Sequence, residues 1–172
     1  MMKLVLKQCV VRSWEWSDRD SIVLHANNRK VWLNLRDRFP HPYTRKDAQT
    51  WLDIVVDSRP ETNFAIAVND EAVGGIGFSL QPDVGRRSAE IGYWLGEDYW
   101  SRGIASEALT VVTEYAFANF DLCRLYAHVF EWNPASMRVL EKAGYVLEGR
   151  LKKSVTKDNQ TIDQLMYAKT ID

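Results

Sequence analysis

The architecture of this chain follows from one stretch, which reads Ile91-Gly-Tyr-Trp-Leu-Gly-Glu-Asp-Tyr-Trp-Ser-Arg-Gly-Ile-Ala-Ser-Glu-Ala108. A strand pattern that ends at Leu95 is followed by a turn and then by apolar residues at helical spacing from Ile104. The first amides of a helix lack internal acceptors and carry the positive end of the helix dipole. Gly103 and Ala105 have no bulky side chain there, so this turn can bind a phosphate or pyrophosphate. The same residues also suit an ordinary strand-turn-helix junction, because glycine eases a tight turn.

The elements on either side of this stretch are predicted from apolar alternation and from helix-capping pairs. Ser17 with Asp20 and Thr44 with Asp47 have the spacing of capping boxes, and Asn133 before Pro134 is typical of another helix start. The predicted elements before the stretch are a strand over residues 3–12, a helix over residues 17–28 that continues through 31–35, a helix from Thr44 that closes before Pro60, and a hairpin of residues 64–68 and 73–80. Those after it are a strand over 125–130, a helix from Asn133 to Gly144, and strands over 145–147 and 161–169. Together they predict an α+β fold with one mixed sheet in a single domain over residues 1–172.

Composition excludes several classes of function. The chain has 172 residues with 22 Lys and Arg against 23 Asp and Glu, a net charge of -1, which gives no basic surplus for binding nucleic acid. Cys9 and Cys123 are too few for a disulfide framework, and the three histidines have no metal-site spacing, so we expect reduced thiols and no metal. The sequence has neither a signal peptide nor a membrane span, which predicts a cytoplasmic protein without membrane contact.

Three motifs resemble those of the GNAT N-acetyltransferase superfamily, in the RimJ/RimL-type branch that includes ribosomal-protein N-terminal acetyltransferases. They are Phe39-Pro-His-Pro-Tyr-Thr44, Glu90-Ile-Gly-Tyr-Trp-Leu95 leading into Trp100-Ser-Arg-Gly-Ile-Ala105, and Asn133-Pro-Ala-Ser-Met-Arg-Val-Leu-Glu-Lys-Ala-Gly-Tyr145. Trp100 departs from the superfamily pattern, which has Gln or Arg at that place. The resemblance implies a mostly antiparallel sheet flanked by helices, in which the strand ending at Leu95 splays away from the strand over residues 125–130.

The resemblance also implies an acetyl-CoA site. It assigns the pyrophosphate to the amides of Arg102, Gly103, Ile104 and Ala105, helped by the Ser106 hydroxyl. It assigns the pantetheine arm to Asn133 and to main-chain groups of Trp94 and Leu95, in the gap between the splayed strands. Asn133 also suits a helix N-cap, and the two roles are compatible.

Acetyl transfer to an amine needs a neutral nucleophile and a proton for the departing thiolate. Ser136 matches the place where the ribosomal enzymes have a serine near the coenzyme sulfur, so it is the predicted proton donor; its alternative role is a residue of the first helical turn bonded to Asn133. Glu90 is the predicted base that takes the amine proton through water, and its alternative is a surface pair with Arg86 or Arg87. His128 is interpreted as a satisfied residue of the sheet.

The acceptor is assigned to the region between the first helices and the final hairpin. Candidate contacts are Trp32, Phe39, His41, Tyr43 and residues 150–163, with helix packing as the alternative role of the aromatic ones. Val155 stands where some ribosomal enzymes have a glutamate.

The predicted function is transfer of acetyl from acetyl-CoA to a primary amine by direct attack in a ternary complex. The amine belongs to a protein N-terminus, a polyamine, an amino acid or an aminoglycoside, and a homodimer is a further expectation. The competing function is a non-catalytic acyl-CoA sensor or docking module.

Overall fold

The computed structural model describes residues 2–172, and its eight strands form one sheet in the order β1-β2-β3-β4-β5-β6-β8-β7. The strands are β1 (Lys3–Val5), β2 (Val10–Ser13), β3 (Asn63–Val68), β4 (Glu71–Leu80), β5 (Ser88–Leu95), β6 (Arg124–Phe130), β7 (Val146–Lys157) and β8 (Gln160–Thr170). Only β5 and β6 pair in parallel, and the other neighbours are antiparallel. The predicted α+β fold with a mixed, mostly antiparallel sheet is confirmed.

Helices cover both faces of the sheet. They are α1 (Arg19–Ala26), α2 (Arg29–Trp32), α3 (Arg45–Val55), α4 (Ile104–Asn119) and α5 (Pro134–Lys142). Apolar residues of α4 and α5 pack with one face of the strands in the larger core, whereas α1 and α3 bury Ile22 and Leu52 in a second core on the other face. Burial of these apolar stripes is the main force that fixes the layers. No helix within residues 2–172 has the length and hydropathy needed to cross a bilayer.

The central strands β5 and β6 diverge, as predicted. They pair only through Ser88–Arg124, Ala89–Leu125 and Glu90–Tyr126, and the pairing stops there although both strands continue. β5 remains paired with β4 as far as Leu95 opposite Gly74. An added Cβ on Gly74 would lie 2.4 Å from the Trp94 carbonyl oxygen, so the glycine permits this close approach. A wedge-shaped gap therefore opens on the β6 side of β5.

Local sequence patterns gave three wrong predictions near the N-terminus. Residues 3–12 form two strands, β1 and β2, because a turn closed by the Leu6 amide and the Cys9 carbonyl (2.9 Å) interrupts the alternating pattern. The Ser17–Asp20 capping box does not form. Instead, Glu15 and Asp18 form the capping box of a 3-10 turn over Trp16–Asp18 that leads into α1, and Arg12 also holds the Asp18 carboxylate at 2.7 and 2.8 Å. The predicted helical continuation over residues 31–35 does not form, and a separate short helix, α2, covers Arg29–Trp32.

The helix caps and strands in the rest of the chain were partly predicted. The Thr44–Asp47 capping box of α3, the Asn133 cap of α5 and the positive φ of Gly144 (84°) are confirmed. The predicted strand over residues 145–147 is wrong in length, because β7 extends to Lys157. Most of β7 is exposed at the sheet edge, so it lacks the apolar alternation that marks a half-buried strand. Cys123 lies after α4, in the connection to β6, and is a half-buried free thiol.

Candidate active site

The start of α4 presents main-chain donors that the protein leaves unpaired within residues 2–172. Gly103 precedes the helix with φ of 82°, and no side chain caps this end. The first helical hydrogen bond runs from the Glu107 amide to the Gly103 carbonyl (3.1 Å), so the amides of Ile104, Ala105 and Ser106 have no acceptor within the helix. An added Cβ on Gly103 would meet Gln8 Nε2 at 3.1 Å. The glycine thus keeps open a cradle that suits a phosphate group.

The turn before this cradle is anchored by aromatic side chains. The indole N–H of Trp100 donates to the Leu95 carbonyl (2.8 Å), which ties the turn to the end of β5. The Arg102 guanidinium lies 5.4 Å from the Tyr99 ring centroid, within range of a cation–π contact. Trp100, which departs from the superfamily pattern, therefore has a structural role in the turn.

Hydrogen bonds at both ends of β5 show which side of the strand each main-chain N–H and C=O group faces. The Gly96 amide donates to Val73 O of the β4 strand (2.8 Å), and the Arg87 carbonyl accepts from Cys123 N just before β6 (2.9 Å). Main-chain groups alternate along a strand, so even-numbered residues of β5 bond toward β4 and odd-numbered ones face β6. Tyr93 and Leu95 therefore direct main-chain groups into the gap. Trp94 directs its own toward β4, which does not support its predicted pairing with a ligand in the gap.

Ser136 lies at the gap on the α4–α5 side of the sheet. Its amide donates to Asn133 Oδ1 (3.2 Å), so Asn133 is the N-cap of α5, and the Ser136 hydroxyl is 2.7 Å from the Tyr93 hydroxyl. Burial raises the pKa of Tyr93 above its ordinary value, and the hydrogen bond with Ser136 opposes this in part. A neutral phenol therefore holds the serine hydroxyl in place.

Glu90 faces the opposite side of the sheet, because it is an even-numbered residue of β5. Its carboxylate accepts hydrogen bonds from Arg36 and from His128 Nδ1 (3.0 Å). The His128 hydrogen bond and the Arg36 charge hold the pKa of Glu90 below its usual range, against the opposing effect of burial. The surface pair with Arg86 or Arg87 is not formed; Arg87 instead bonds Asp121 at 3.0 Å.

Two adjoining cavities open on this side of the sheet. The first has a volume of about 370 Å³ and is lined by Arg36, Asp37, His128, Phe130, Val155, Thr156, Lys157 and Gln164. The second, of about 500 Å³, is lined by Trp32, Asp37, Pro40, His41, Thr156, Asp158 and Asn159. Residues of the final hairpin thus form one wall of both cavities, in the region predicted to meet the acceptor.

The four aromatic candidates divide into two groups. Trp32 and His41 line the second cavity with their rings 5.8 Å apart. Phe39 packs against Tyr43 and Trp94 at 4.8 and 5.6 Å between ring centroids, and Tyr43 is only 6% exposed in the second core. Burial raises the pKa of Tyr43 to about 12. Phe39 and Tyr43 occupy packing positions, and a direct contact of either with the acceptor stays a prediction.

The sequence patterns did not indicate the roles of several residues at this site. Arg36 contacts Glu90, Tyr93 contacts Ser136, and His128 both pairs with Glu90 and lines a cavity. Lys157 is buried, with Nζ 2.8 Å from Asp37 and 3.6 Å from the Trp32 ring centroid. The period-two alternation of β6 could have placed His128 on the same face as Glu90, but only the β5–β6 register makes them neighbours. Across residues 2–172, no cluster of three or more His, Cys, Asp or Glu side chains is placed to hold a metal ion.

Known proteins resemble this chain in sequence and in fold. The family described as the acetyltransferase (GNAT) domain matches residues 8–146. The N-acetyltransferase YnaD of Bacillus subtilis is 28% identical over 169 residues, 97% of this chain and 96% of that protein. Ribosomal-protein-serine acetyltransferase of Escherichia coli is 34% identical over 109 residues, 63% of this chain and 60% of its own length.

Solved structures agree with this assignment. An acetyltransferase of the GNAT family from Bacillus anthracis superposes with a TM-score of 0.83 at 25% identity and covers 98% of each chain. The ribosomal L7/L12 alpha-N-protein acetyltransferase RimL, in complex with coenzyme A, has the same fold with a TM-score of 0.86 at 23% identity, over 98% of this chain and 97% of its own. With the family match, the chain belongs to the GNAT family and is an N-acetyltransferase that uses acetyl-CoA, related to the RimJ/RimL-type enzymes.

Proposed function

We propose that this enzyme acetylates the α-amino group of a polypeptide N-terminus. The observation that carries the proposal is the pairing of the carboxylates at the acceptor side. Asp37 bonds Lys157 at 2.8 Å, Asp158 bonds Arg29 at 2.6 Å, and Glu90 bonds Arg36. A polyamine needs carboxylates that are available for its several cations, whereas a polypeptide N-terminus brings one cation and a neutral backbone.

Acetyl-CoA supplies a thioester whose acetyl group the amine attacks. The unpaired amides of Ile104, Ala105 and Ser106 fit its pyrophosphate, with Arg102, Gly103 and the Ser106 hydroxyl beside them. The gap-facing main chains of Tyr93 and Leu95 suit the pantetheine arm. The Leu95 carbonyl already accepts from Trp100, so we assign the Leu95 contact to its amide. Asn133 uses its side-chain oxygen for the helix cap, which leaves its side-chain NH₂ group for the arm.

We assign the two proton transfers of the reaction to opposite faces of the gap. We assign Ser136 as the donor to the departing thiolate, on the α5 side, with Tyr93 holding its hydroxyl at 2.7 Å. We assign removal of the amine proton to the unit formed by Glu90 and His128 on the cavity side. The gap between β5 and β6 is the passage by which an amine on one face reaches an acyl group held at the other.

A competition between acceptors tests the proposal. The purified enzyme is supplied with acetyl-CoA and an equimolar mixture of peptides that begin with Ser or Ala, spermidine and a free amino acid. Mass spectrometry then locates the acetyl group. Each peptide contains one internal lysine, and an Nα-blocked copy serves as the matched control. We expect acetylation at the α-amine and none on the blocked peptide. Preferential acetylation of spermidine or of the lysine side chain would contradict the proposed acceptor.

A further inference from the structure

The Glu90–His128 pair resolves which atom accepts the amine proton. Glu90 receives hydrogen bonds from two different elements, the segment after α2 through Arg36 and strand β6 through His128. Both converge on the same oxygen, Oε1, and the carboxyl side chain is 19% exposed. A carboxylate held in this way by a guanidinium is stabilised as the anion, which makes it a weak base for an ammonium proton.

His128 has the complementary properties. The ionised Glu90 can only accept, so Nδ1 of His128 must carry the proton of their 3.0 Å hydrogen bond. The neutral ring then has its lone pair on Nε2, and this atom has no hydrogen-bond partner among residues 2–172. His128 also lines the first cavity, and its side chain is 20% exposed, so the ring is within reach of a small amine.

From these contacts we infer that Nε2 of His128 is the proton acceptor of the reaction and that Glu90 is a positioning residue held by Arg36. This inference rests on the proposed function. It reverses the roles given by the sequence, in which Glu90 is the base and His128 a satisfied strand residue. Its basis is the geometry of the pair, which orients the ring, fixes its tautomer and favours the imidazolium that forms.

The proton balance is complete without another reactant. One proton of the acceptor's ammonium group passes to Nε2 of His128, which leaves a neutral amine and an imidazolium paired with Glu90. The amine nitrogen forms the new C–N bond as the C–S bond breaks. A second nitrogen proton reaches sulfur by way of Ser136, and the imidazolium releases its proton to solvent, so each turnover releases one proton.

The charged groups that face His128 come from β5, β7 and the segment after α2. Glu90 from β5 favours the imidazolium, and Asp37, on the wall of the same cavity, favours it as well. Arg36 and Lys157 on the same cavity oppose it, but each is paired, with Glu90 and Asp37 respectively. Tyr126, whose ring is 5.7 Å away on the same strand, is a neutral neighbour. Glu90, which contacts the ring directly, is therefore the main charge that stabilises the imidazolium formed during the reaction.

Two measurements test the inference. In the unliganded protein labelled with ¹⁵N-histidine, NMR should report the neutral His128 ring protonated on Nδ1 and bare on Nε2. The signal is assigned by its loss in His128→Asn. In turnover, the pH profile of kcat should have an acid limb that His128→Asn abolishes, with a 100- to 10,000-fold lower rate at pH 7. Asparagine can still donate to Glu90, so this variant keeps the structural contact.

Matched variants separate the two candidate bases. Glu90→Gln should retain the acid limb, because the imidazole remains. His25→Gln removes the other histidine–glutamate pair, His25 Nε2 to Glu71 at 2.6 Å, and should retain the limb unshifted. The inflection from the substrate amine itself, near pH 8 for an α-amine, is common to all variants.

An Nε2-protonated His128, or an acid limb that persists in His128→Asn but disappears in Glu90→Gln, would overturn the inference. The NMR measurement needs no acceptor, and the pH profile can use any amine that is turned over. A wrong acceptor class and a wrong proton acceptor therefore give different results.

Discussion

The phosphate cradle at Gly103 permits a prediction in which charge and backbone strain are measured apart. Gly103→Glu places a side chain on a residue with φ of 82° and adds a carboxylate beside the amides of Ile104 to Ser106. Gly103→Gln adds nearly the same volume at the same φ without the charge. The comparison of the two variants therefore isolates electrostatic repulsion of the pyrophosphate from every other effect of the substitution.

The backbone cost is the same for both variants. A residue with a Cβ in the left-handed region costs about 1–2 kcal/mol, and the new Cβ would meet Gln8 Nε2 at 3.1 Å. Gln8 is a flexible side chain that can move aside, so the φ strain dominates. For a domain of this length, a loss of that size lowers the melting temperature by roughly 2–8 °C.

The charge effect is larger and specific to the glutamate. Two like charges about 5 Å apart, at an effective dielectric constant of about 20, repel by about 3 kcal/mol. Isothermal titration should therefore give an acetyl-CoA affinity at least about 100-fold weaker for Gly103→Glu than for Gly103→Gln, at equal melting temperatures. Equal affinities in the two variants would refute the assignment of the pyrophosphate to the start of α4.

Three further predictions concern the side chains around the gap. Ser136→Ala should lower kcat by about 10- to 1,000-fold with little change in acetyl-CoA affinity. Tyr93→Phe removes one neutral hydrogen bond and should lower kcat by only about 2- to 12-fold. Equal losses in stopped-flow turnover would contradict the assignment of Ser136 as proton donor and Tyr93 as the group that positions it. Glu90 has a lowered pKa in the folded protein, so its contribution to stability is present above the ordinary glutamate pKa of about 4.3 and is lost as pH falls through the folded value. The melting temperature of Glu90→Gln should therefore lie below that of the wild type at pH 7 and approach it below about pH 4. A difference in melting temperature that stays constant with pH would argue against the ion pair. Lys157 is 2% exposed but its partner Asp37 is well solvated, so the packing of the Lys157 side chain on Trp32 should matter more than its charge. In urea, the free energy of unfolding should change by less than about 1 kcal/mol for Lys157→Met and fall by about 2–4 kcal/mol for Lys157→Ala. Equal losses in the two variants would show that the charge stabilises the hairpin.

The parts of the site that the sequence predicted are those built from residues close together in the chain. The Asn133 cap on Ser136, the capping box of Thr44 with Asp47 and the open start of α4 after Gly103 all depend on groups within four positions of each other. Backbone geometry brings such groups together wherever a helix begins, so residue type and spacing suffice. The Ser17–Asp20 box had equally good spacing and did not form, because Glu15 and Asp18, two residues earlier, form the capping box in its place.

Main-chain direction is a second property that local pattern leaves open. The sequence predicted both Trp94 and Leu95 as partners of a ligand, yet adjacent residues of a strand bond to opposite sides. Which of them faces the gap depends on the register of β5 with β4, fixed by Leu95 opposite Gly74. That register is a contact between strands some twenty residues apart.

The sequence by itself determined the fold family, the order of the central elements, the open start of α4 after Gly103 and the place of Ser136 in the first turn of α5. Only the tertiary structure decided the partners of the side chains at the gap: Arg36 and His128 around Glu90, and Tyr93 against Ser136. These contacts join residues 38 to 54 positions apart. Their distances follow from how the sheet diverges and how α5 and the segment after α2 pack on its two faces. A pairwise contact of that range has no periodic signature in the chain, because it is fixed by burial of the two cores rather than by local backbone geometry.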